Sequence, residues 1–321
     1  MSGLFPEAVA HDEGRLAVGH GNTIAWEVCG NPRGKPAILL HGGPGSGRSR
    51  GAARFFDPAV WRIVLFDQRQ CGASTPHAGD IATDLASNTT QHLLDDIAAL
   101  RAHLGIGPCL LFGHSWGCTL GLAHAQQHPD LVAALLLVGV TSTRRSEIDW
   151  LYRGIAPMVP AAWDAFRKGV PEAQRDGDLV AAYHALLADP DPAVREKAAR
   201  DWHAWEASAT ADADAAPPAA WADPVFRLCR ARIVTHYFHN NGFLEDGVIL
   251  RQAHRLAGIP GVMVQGRMDL EAPLVTAWEL DRAWPDGELV MVQGAGHGTG
   301  DPGMAEAILD AARRLSAHVP G

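Results

Sequence analysis

The chain has few cysteines, no long apolar run and no excess of positive charge, and each absence excludes a class of protein. Its five cysteines are odd in number and widely spaced, so neither a disulfide framework nor a cysteine metal site is expected. No apolar stretch is long enough to cross a bilayer. The net charge of −9 argues against nucleic acid and anionic membranes as partners, and it favours neutral or cationic substrates.

The remaining composition indicates an intracellular enzyme of ordinary size. Residues 1–7 lack the basic and apolar regions of a signal peptide, so we expect a cytoplasmic protein with reduced thiols. The 321 residues, 47% of them hydrophobic, suffice for an α/β enzyme core with one insertion.

Short apolar runs alternate with helical patterns in the first 140 residues. Residues 14–30 indicate an early hairpin, and the runs at 37–40, 62–66 and 133–138 indicate buried strands. Residues 89–104 have apolar side chains at helical spacing, with Thr90 as the expected cap. This alternation predicts an α/β fold, with a mostly parallel sheet and helices on both faces.

The pattern changes at residue 141. Residues 141–240 contain no comparable strand run, and we expect them to form a helical cap inserted between core segments 1–140 and 241–321. Within the cap, residues 209–218 are of low complexity and indicate a surface loop. The cap also carries five tryptophans that suit either a pocket or a subunit interface, so a homo-oligomer is one expectation: Trp150, Trp163, Trp202, Trp205 and Trp221.

A glycine-flanked serine follows one of the buried strands. The run Leu110-Leu111-Phe112 leads into Gly113-His114-Ser115-Trp116-Gly117, and a helical stretch follows it. G-x-S-x-G between a strand and a helix is the nucleophile elbow of α/β-hydrolases. The sequence therefore predicts an α/β-hydrolase fold with Ser115 as the nucleophile.

A serine hydroxyl needs a base and a group that orients the base. After the cap, one strand runs into Asp269 and the next into His297, in the order that α/β-hydrolases use. Both follow strands of a parallel sheet, where ligands bind. We predict His297 as the base and Asp269 as its orienting partner. Glu271 and Asp281 are the alternatives to Asp269, which its position directly after the strand favours.

The oxyanion formed during acyl transfer needs two backbone N–H donors. The residue after the nucleophile, Trp116, is expected to supply one, and the loop after an early strand the other. That loop is His41-Gly42-Gly43-Pro44-Gly45, and we assign Gly43. It is not a phosphate loop, because no Lys-Ser or Lys-Thr follows it.

Taken together, the motifs resemble those of the prolyl aminopeptidase (proline iminopeptidase) family of α/β-hydrolases. The resemblance covers nearly the whole chain and implies release of an N-terminal proline without metal or cofactor. The motifs are H-G-G-P-G at 41–45, Phe66-Asp67-Gln68-Arg69 with Cys71-Gly72 and Ser74, Asn88-Thr89-Thr90, Asp96-Ile97, G-x-S-x-G at 113–117, Ala125-Gln126 with His128-Pro129, Arg144-Arg145 with Glu147 and Trp150, Trp205-Glu206, His236-Tyr237-Phe238, Gly266-Arg267 with Asp269, and Gly296-His297.

The resemblance also implies that acidic residues of the cap bind the free amino end of the substrate. Glu206 matches one such position, but Val234 stands where the second acid is expected. A buried cation needs a carboxylate partner, so this loss should weaken amine binding. Two lesser departures are Gln70 and His114, where glycine is usual.

Two functions follow, both acting on small peptide or acyl substrates. The first is a serine exopeptidase that removes N-terminal proline or a small residue, with Glu206 as amine anchor. The alternative is an esterase or amidase for uncharged acyl groups, because of Val234. A non-enzymatic binding protein on the same fold would be expected to have a broken triad, and this triad looks intact. Transfer of the acyl group to an acceptor other than water is a further alternative. A flat apolar slot for the proline ring is expected from aromatic residues of the cap, namely Trp150, Tyr152, Phe226, Tyr237 and Phe238.

Overall fold

One eight-stranded sheet forms the centre of the molecule. A computed structural model describes residues 3–209 and 219–321, so the predicted surface loop at 209–218 lies outside the described residues except for Ala209, which is buried. The strands are β1 (Ala10–Ala17), β2 (Thr23–Gly30), β3 (Lys35–Leu40), β4 (Trp61–Phe66), β5 (Cys109–His114), β6 (Val132–Val138), β7 (Gly261–Gly266) and β8 (Gly287–Val292).

The sheet is mostly parallel, which confirms the predicted fold class. Its strand order is β1-β2-β4-β3-β5-β6-β7-β8. The hairpin β1–β2 and the pair β2–β4 are antiparallel, and every later pairing is parallel. The carboxyl ends of β3, β5, β7 and β8 therefore meet at one edge of the sheet, where the loops with the predicted site residues begin.

Helices cover both faces of the sheet. The α-helices are α1 (Arg50–Ala53), α2 (Thr90–Leu104), α3 (Trp116–Gln127), α4 (Arg145–Asp149), α5 (Pro160–Lys168), α6 (Leu179–Leu186), α7 (Pro192–Ser208), α8 (Pro224–His239), α9 (Val248–Arg251), α10 (Leu274–Ala283) and α11 (Met304–Leu315). Side chains of α2, α3, α9 and α10 share one apolar cluster with the sheet. Those of α1 and α11 share the cluster on its other face. None of the helices in the described ranges has the length and apolarity of a membrane span.

The cap of helix α2 lies one residue before the position that the sequence predicted. Thr89, with extended backbone, accepts a hydrogen bond from the backbone N–H of His92 and is the cap. The prediction of Thr90 was wrong, because its hydroxyl donates to the carbonyl of Gly242 in the distant connection after α8. Adjacent threonines have the same capping propensity, so only the tertiary contact distinguishes them.

The segment between β6 and β7 has an apolar cluster of its own, with members from Ile148 to Val234. Trp202 and Trp205 are buried at its centre, with 0% and 1% exposure. Trp202 stacks on Tyr152 with ring centroids 4.5 Å apart, and Trp205 stacks on Phe166 at 5.1 Å. These two tryptophans therefore stabilise the cap from within and offer no surface to a partner subunit.

One fully buried ion pair joins the loop after β4 to helix α2. The Arg69 guanidinium donates to both carboxylate oxygens of Asp96, at 2.6 and 2.7 Å, and each side chain is 1% exposed. Arg69 also donates to the carbonyls of Val18 and Ser87. The pair therefore fixes the start of the loop that follows β4.

We expect Asp96→Ala to lower the free energy of unfolding by about 3–5 kcal/mol, because it leaves the Arg69 charge buried without its partner. Urea unfolding followed by circular dichroism measures the change. Asp95→Asn is the matched control, since Asp95 is exposed on the same helix and should change stability by less than about 0.5 kcal/mol. Equal midpoints for the two variants would contradict the expectation.

Candidate active site

The turn between β5 and α3 holds Ser115 in a strained backbone conformation. Its φ of 56° and ψ of −123° lie outside the regions that non-glycine residues prefer. The Ser115 N–H donates to the carbonyl of Val138 at 2.9 Å, and its carbonyl accepts from the Thr141 hydroxyl at 3.1 Å. Strain at a turn that neighbouring strands hold in place is typical of a functional position.

The glycines on either side of this serine are required by close packing. A Cβ on Gly113 would lie 2.5 Å from the carbonyl oxygen of Gly117. A Cβ on Gly117 would lie 2.1 Å from the carbonyl oxygen of Leu40, at the end of β3. Both distances are shorter than any real contact, so helix α3 can approach the sheet this closely only because the two side chains are absent.

His297 and Asp269 meet beside this turn. The Nδ1 of His297 lies 2.8 Å from Oδ2 of Asp269, and the residues are 9% and 5% exposed. The His297 ring also lies against the backbone after β6, because a Cβ on Gly139 would be 2.8 Å from its Cε1. The Ser115 N–H bonds to Val138, and the His297 ring lies against Gly139. The predicted nucleophile and the predicted base therefore contact neighbouring residues. Nδ1 is held by Asp269, which leaves Nε2 to exchange a proton with a nucleophile.

Asp269 is fixed by four hydrogen bonds. Its Oδ1 accepts from the backbone N–H groups of Glu271 and Ala272, at 3.0 and 2.8 Å. Its Oδ2 accepts from the Gln265 amide at 2.9 Å in addition to His297. Gln265 is fully buried and accepts in turn from the N–H of Val140 at 2.7 Å. These bonds fix the orientation of the carboxylate, as an orienting group requires.

Acidic groups dominate the surroundings of His297. Burial by itself lowers the pKa of His297, but Asp269, Glu271 and the hydrogen bond to Asp269 outweigh it and raise the pKa to about 10. Its Nε2 lies 3.9 Å from Oε2 of Glu271. His114, whose ring centroid is 5.0 Å away, shows the opposite effect, since burial and then the His297 charge lower its pKa to about 4. His114 is therefore neutral, and its Nε2–H donates to the His297 carbonyl at 3.2 Å.

The two residues predicted to supply the oxyanion donors lie beside Ser115. Trp116 is the first residue of α3, so its N–H has no partner within the helix and lies at the positive end of the helix dipole. Gly43 has a φ of 111°, and a Cβ there would lie 2.8 Å from the nitrogen of Gly45. Both residues line the cavity next to Ser115. The oxyanion hole at Gly43 and Trp116 remains a prediction, and their place in the cavity wall is consistent with it.

A buried glutamine connects the two predicted oxyanion segments. The Gln68 amide donates to the carbonyl of His41 at 2.9 Å and accepts from the Trp116 indole at 3.1 Å. Its own N–H donates to Nε2 of His41 at 3.1 Å. Gln68 is 2% exposed, so water cannot replace these bonds. It therefore holds the glycine loop and the elbow at a fixed separation.

A small cavity of about 50 Å³ lies over Ser115. Its walls come from the glycine loop, the elbow, the cap and the loop after β7: Gly43, Ser115, Trp116, Thr141, Thr143, Glu147, Ile148, Leu151, Glu206, Arg230, Phe238 and Glu271. A larger groove of about 780 Å³, lined by residues within 20–22, 70–87 and 92, includes none of the triad residues.

Comparison with known proteins shows the family to which the chain belongs. A family model described as alpha/beta hydrolase fold matches residues 35–301. A probable proline iminopeptidase of Streptomyces coelicolor is 50% identical over 312 residues, which are 96% of each chain. The proline iminopeptidase of Xylella fastidiosa strain Temecula1 is 44% identical over 96% of this chain and 98% of its own.

The chain belongs to the proline iminopeptidase family of α/β-hydrolases.

Solved structures of lower identity share the fold of this family member. The proline iminopeptidase of Mycobacterium smegmatis superposes with a TM-score of 0.63 at 21% identity, over 96% of this chain and 98% of that one. The crystal structure of VinJ gives a TM-score of 0.66 at 21% identity, over 97% and 100% of the two chains.

Glu206, the expected amine anchor, lies in the cavity wall but already has partners. Its Oε1 accepts from the Tyr152 hydroxyl at 2.9 Å and the Trp202 indole at 3.0 Å, and its Oε2 pairs with Arg230. Burial opposes its charge, yet Arg230 and His203 hold the pKa of Glu206 below its usual value. Its negative charge is therefore balanced within the protein.

Three other residues assigned to the substrate pocket lie behind its surface. Val234 is fully buried in the apolar cluster of the cap, one helical turn from both Arg230 and Phe238. Tyr237 is also fully buried, and its hydroxyl donates to Oδ1 of Asn88 at 2.7 Å. The Trp150 indole donates to the carbonyl of Leu270 at 2.9 Å. Among the five aromatic residues of the expected slot, Phe238 is the one that lines the cavity.

Four residues of the site were not identified from the sequence in their present roles: Gln68, Arg230, Gln265 and Glu271. Gln68 belongs to one of the family motifs, and Glu271 was an alternative to Asp269. The sequence therefore drew attention to both positions, but it did not reveal their contacts. Arg230 pairs with Glu206 across 24 positions, and no periodicity indicates such a pair. Gln265 is the penultimate residue of β7, and the sequence does not tell whether its amide orients a catalytic group or faces solvent.

We expect Gln68→Ala to lower kcat by about 10- to 100-fold with little change in KM, because the oxyanion donors act mainly on the transition state. Steady-state kinetics with an activated anilide or ester separates the two parameters. Gln127→Ala is the control, since Gln127 is exposed at the end of α3. A parallel rise in KM, or an unchanged kcat in a folded variant, would show that Gln68 does not position the donors.

Proposed function

We propose that this chain is a serine aminopeptidase that releases an N-terminal proline or small residue from peptides. The observation that carries the proposal is a small acidic cavity placed directly over Ser115 in a member of the proline iminopeptidase family. The proposed triad is Ser115, His297 and Asp269, and Gly43 and Trp116 are the proposed oxyanion donors.

In the first half of the reaction, Ser115 forms an ester with the N-terminal residue. The Ser115 oxygen attacks the peptide carbonyl carbon while its proton passes to Nε2 of neutral His297. The carbonyl oxygen becomes an oxyanion bound by the N–H groups of Gly43 and Trp116. When the C–N bond breaks, His297 returns the proton to the departing amine, and the shortened peptide leaves.

Water completes the cycle. His297 takes a proton from a water molecule whose oxygen attacks the ester carbonyl, and then returns a proton to the Ser115 oxygen as the ester bond breaks. The free amino acid is released and the triad is restored. Asp269 remains ionised throughout and stabilises the imidazolium in both halves.

The charges in the cavity support a cationic amino end. Three carboxylates line it, from Glu147, Glu206 and Glu271, against one arginine, Arg230. A protonated amine brings a positive charge that balances the excess of carboxylates in this cavity. An acylated amine is uncharged and brings no such balance.

One observation favours the alternative of an esterase or amidase. The Glu206 carboxylate is already paired with Arg230, and Val234 carries no charge. If these two positions alone decided selectivity, the cavity would accept uncharged acyl groups.

A reducing, cytoplasmic location is part of the proposal. The five cysteines are buried free thiols in the structure. Burial raises the pKa of Cys71, Cys109 and Cys118, which keeps these thiols protonated and unreactive.

Three chromogenic substrates test the proposed activity: a prolyl anilide, its N-acetylated form and a butyrate ester. We expect the free prolyl anilide to have a kcat/KM at least about tenfold above that of the acetylated anilide. Ser115→Ala should lower the activity by at least about 10⁴-fold, because it removes the nucleophile.

Other outcomes have definite meanings. Turnover of the ester alone, or equal rates with and without acetylation, would replace the aminopeptidase with the esterase. Full activity of Ser115→Ala would overturn the assignment of the nucleophile.

A further inference from the structure

We propose that Glu271 is the carboxylate that binds the free amino group of the substrate. This assignment rests on the proposed aminopeptidase function and names the residue that makes the enzyme selective. It gives Glu271 a role separate from that of Asp269, the orienting acid, and it replaces Glu206 as the main amine anchor.

Glu147 is not available to bind a ligand. Its carboxylate accepts from the N–H and hydroxyl of Ser142, the N–H of Thr143 and the hydroxyl of Thr276, all at 2.6 to 2.9 Å. In addition, Nε of Arg144 lies 3.1 Å from Oε1 of Glu147. Its two oxygens are therefore occupied in holding the backbone after β6.

Glu206 is similarly engaged. Tyr152 and Trp202 donate to one oxygen, and Arg230 pairs with the other. Arg230 is itself held in place, since it donates to the Ser46 hydroxyl at 3.2 Å and lies 5.3 Å from the centre of the Trp221 ring. An ammonium group at Glu206 would have to compete with a guanidinium that Glu206, Ser46 and Trp221 hold in place.

Among the described residues, Glu271 is the cavity-lining carboxylate that is not paired with an arginine, whereas Glu147 is paired with Arg144 and Glu206 with Arg230. In the described ranges 3–209 and 219–321, no arginine or lysine lies within 4.0 Å of it, and its ion-pair contact is His297. Its side chain is 24% exposed, so it is accessible from the cavity. Burial raises the pKa of Glu271, His297 opposes this shift, and the charge of Asp269 adds to it. A cation beside Glu271 would favour the charged form of its carboxylate.

The position of Glu271 matches the geometry of an aminopeptidase substrate. The amino nitrogen is two bonds from the carbonyl carbon, a separation of about 2.5 Å. That carbon must lie within about 3.5 Å of the Ser115 oxygen to react. The amine anchor must therefore be close to the base, and Oε2 of Glu271 lies 3.9 Å from Nε2 of His297. The N–H of Glu271 is fixed by Asp269, so the anchor and the triad share one rigid loop.

This contact also couples amine binding to the base. The charged groups that face His297 are Asp269 and Glu271 from the loop after β7 and Asp301 from the loop before α11, while neutral His114 faces it from β5. Together the carboxylates hold a proton on His297 in the free enzyme. An ammonium group at Glu271 offsets one of these charges and favours the neutral imidazole that attack requires. An acetylated substrate brings no such charge.

The variant Glu271→Gln tests the proposal with the prolyl anilide, the acetylated anilide and the butyrate ester. We expect kcat/KM for the prolyl anilide to fall at least tenfold, while the values for the two uncharged substrates change less than threefold or rise. Removing a negative charge lowers the pKa of the imidazolium, so the rising limb of the pH profile for the ester should move to lower pH. Glu271→Asp, which keeps the charge, should recover part of the preference for the free amine.

Glu288→Gln is the matched control, because Glu288 lies on β8 with a side chain that is 53% exposed. Labelling of Ser115 by a fluorophosphonate reports the fraction of folded enzyme in each variant. An unchanged preference in Glu271→Gln, with the wild type selective, would overturn the role of Glu271 and leave the aminopeptidase intact. A wild type without preference for the free amine would overturn both proposals. Equal losses on all three substrates, or no recovery in Glu271→Asp, would show that Glu271 supports the triad and does not bind the amine.

Discussion

The close approach of helix α3 to strand β3 is the constraint on which the site depends. No Cβ fits at Gly117, because the carbonyl of Leu40 occupies its place. This packing brings the first turn of α3 over the carboxyl end of the sheet and forces Ser115 into its positive φ. It also places the glycine loop after β3 beside the free N–H of Trp116. One steric relation therefore exposes the nucleophile and brings together the two proposed oxyanion donors.

Two buried glutamines hold the parts of the site that this packing leaves free. Gln68 joins the glycine loop to Trp116, and Gln265 joins the backbone after β6 to Asp269. A buried amide that loses a partner costs free energy, so each glutamine has one stable orientation. The resulting order matters more for the chemistry than for the fold, since displacements below 1 Å change the rate of acyl transfer.

The sequence predicts what depends on local pattern and sheet topology. The elbow, Asp269 and His297 could be located because each follows a strand, and the carboxyl ends of parallel strands meet. Thr89 and Thr90 could not be distinguished, because a contact with Gly242 decides between them. Likewise Tyr237 and Val234 were expected at the pocket surface, but a helical pattern does not tell whether an aromatic or aliphatic side chain faces a ligand or the protein core. The ion pair of Glu206 with Arg230 joins two helices, and no local sequence pattern predicts it.

Charge balance in the cavity follows from these long-range pairs. A carboxylate lost at position 234 does not change the selectivity of the site if another acid meets the same amine, and Glu271, on the loop after β7, lies 3.9 Å from the base. Because Arg230 neutralises Glu206, the net charge beside Ser115 depends on Glu271 and on the proton of His297. These two groups are mutually stabilising in the free enzyme. A substrate ammonium competes with the imidazolium for the same carboxylate, so binding of the correct substrate and release of the base are one electrostatic event.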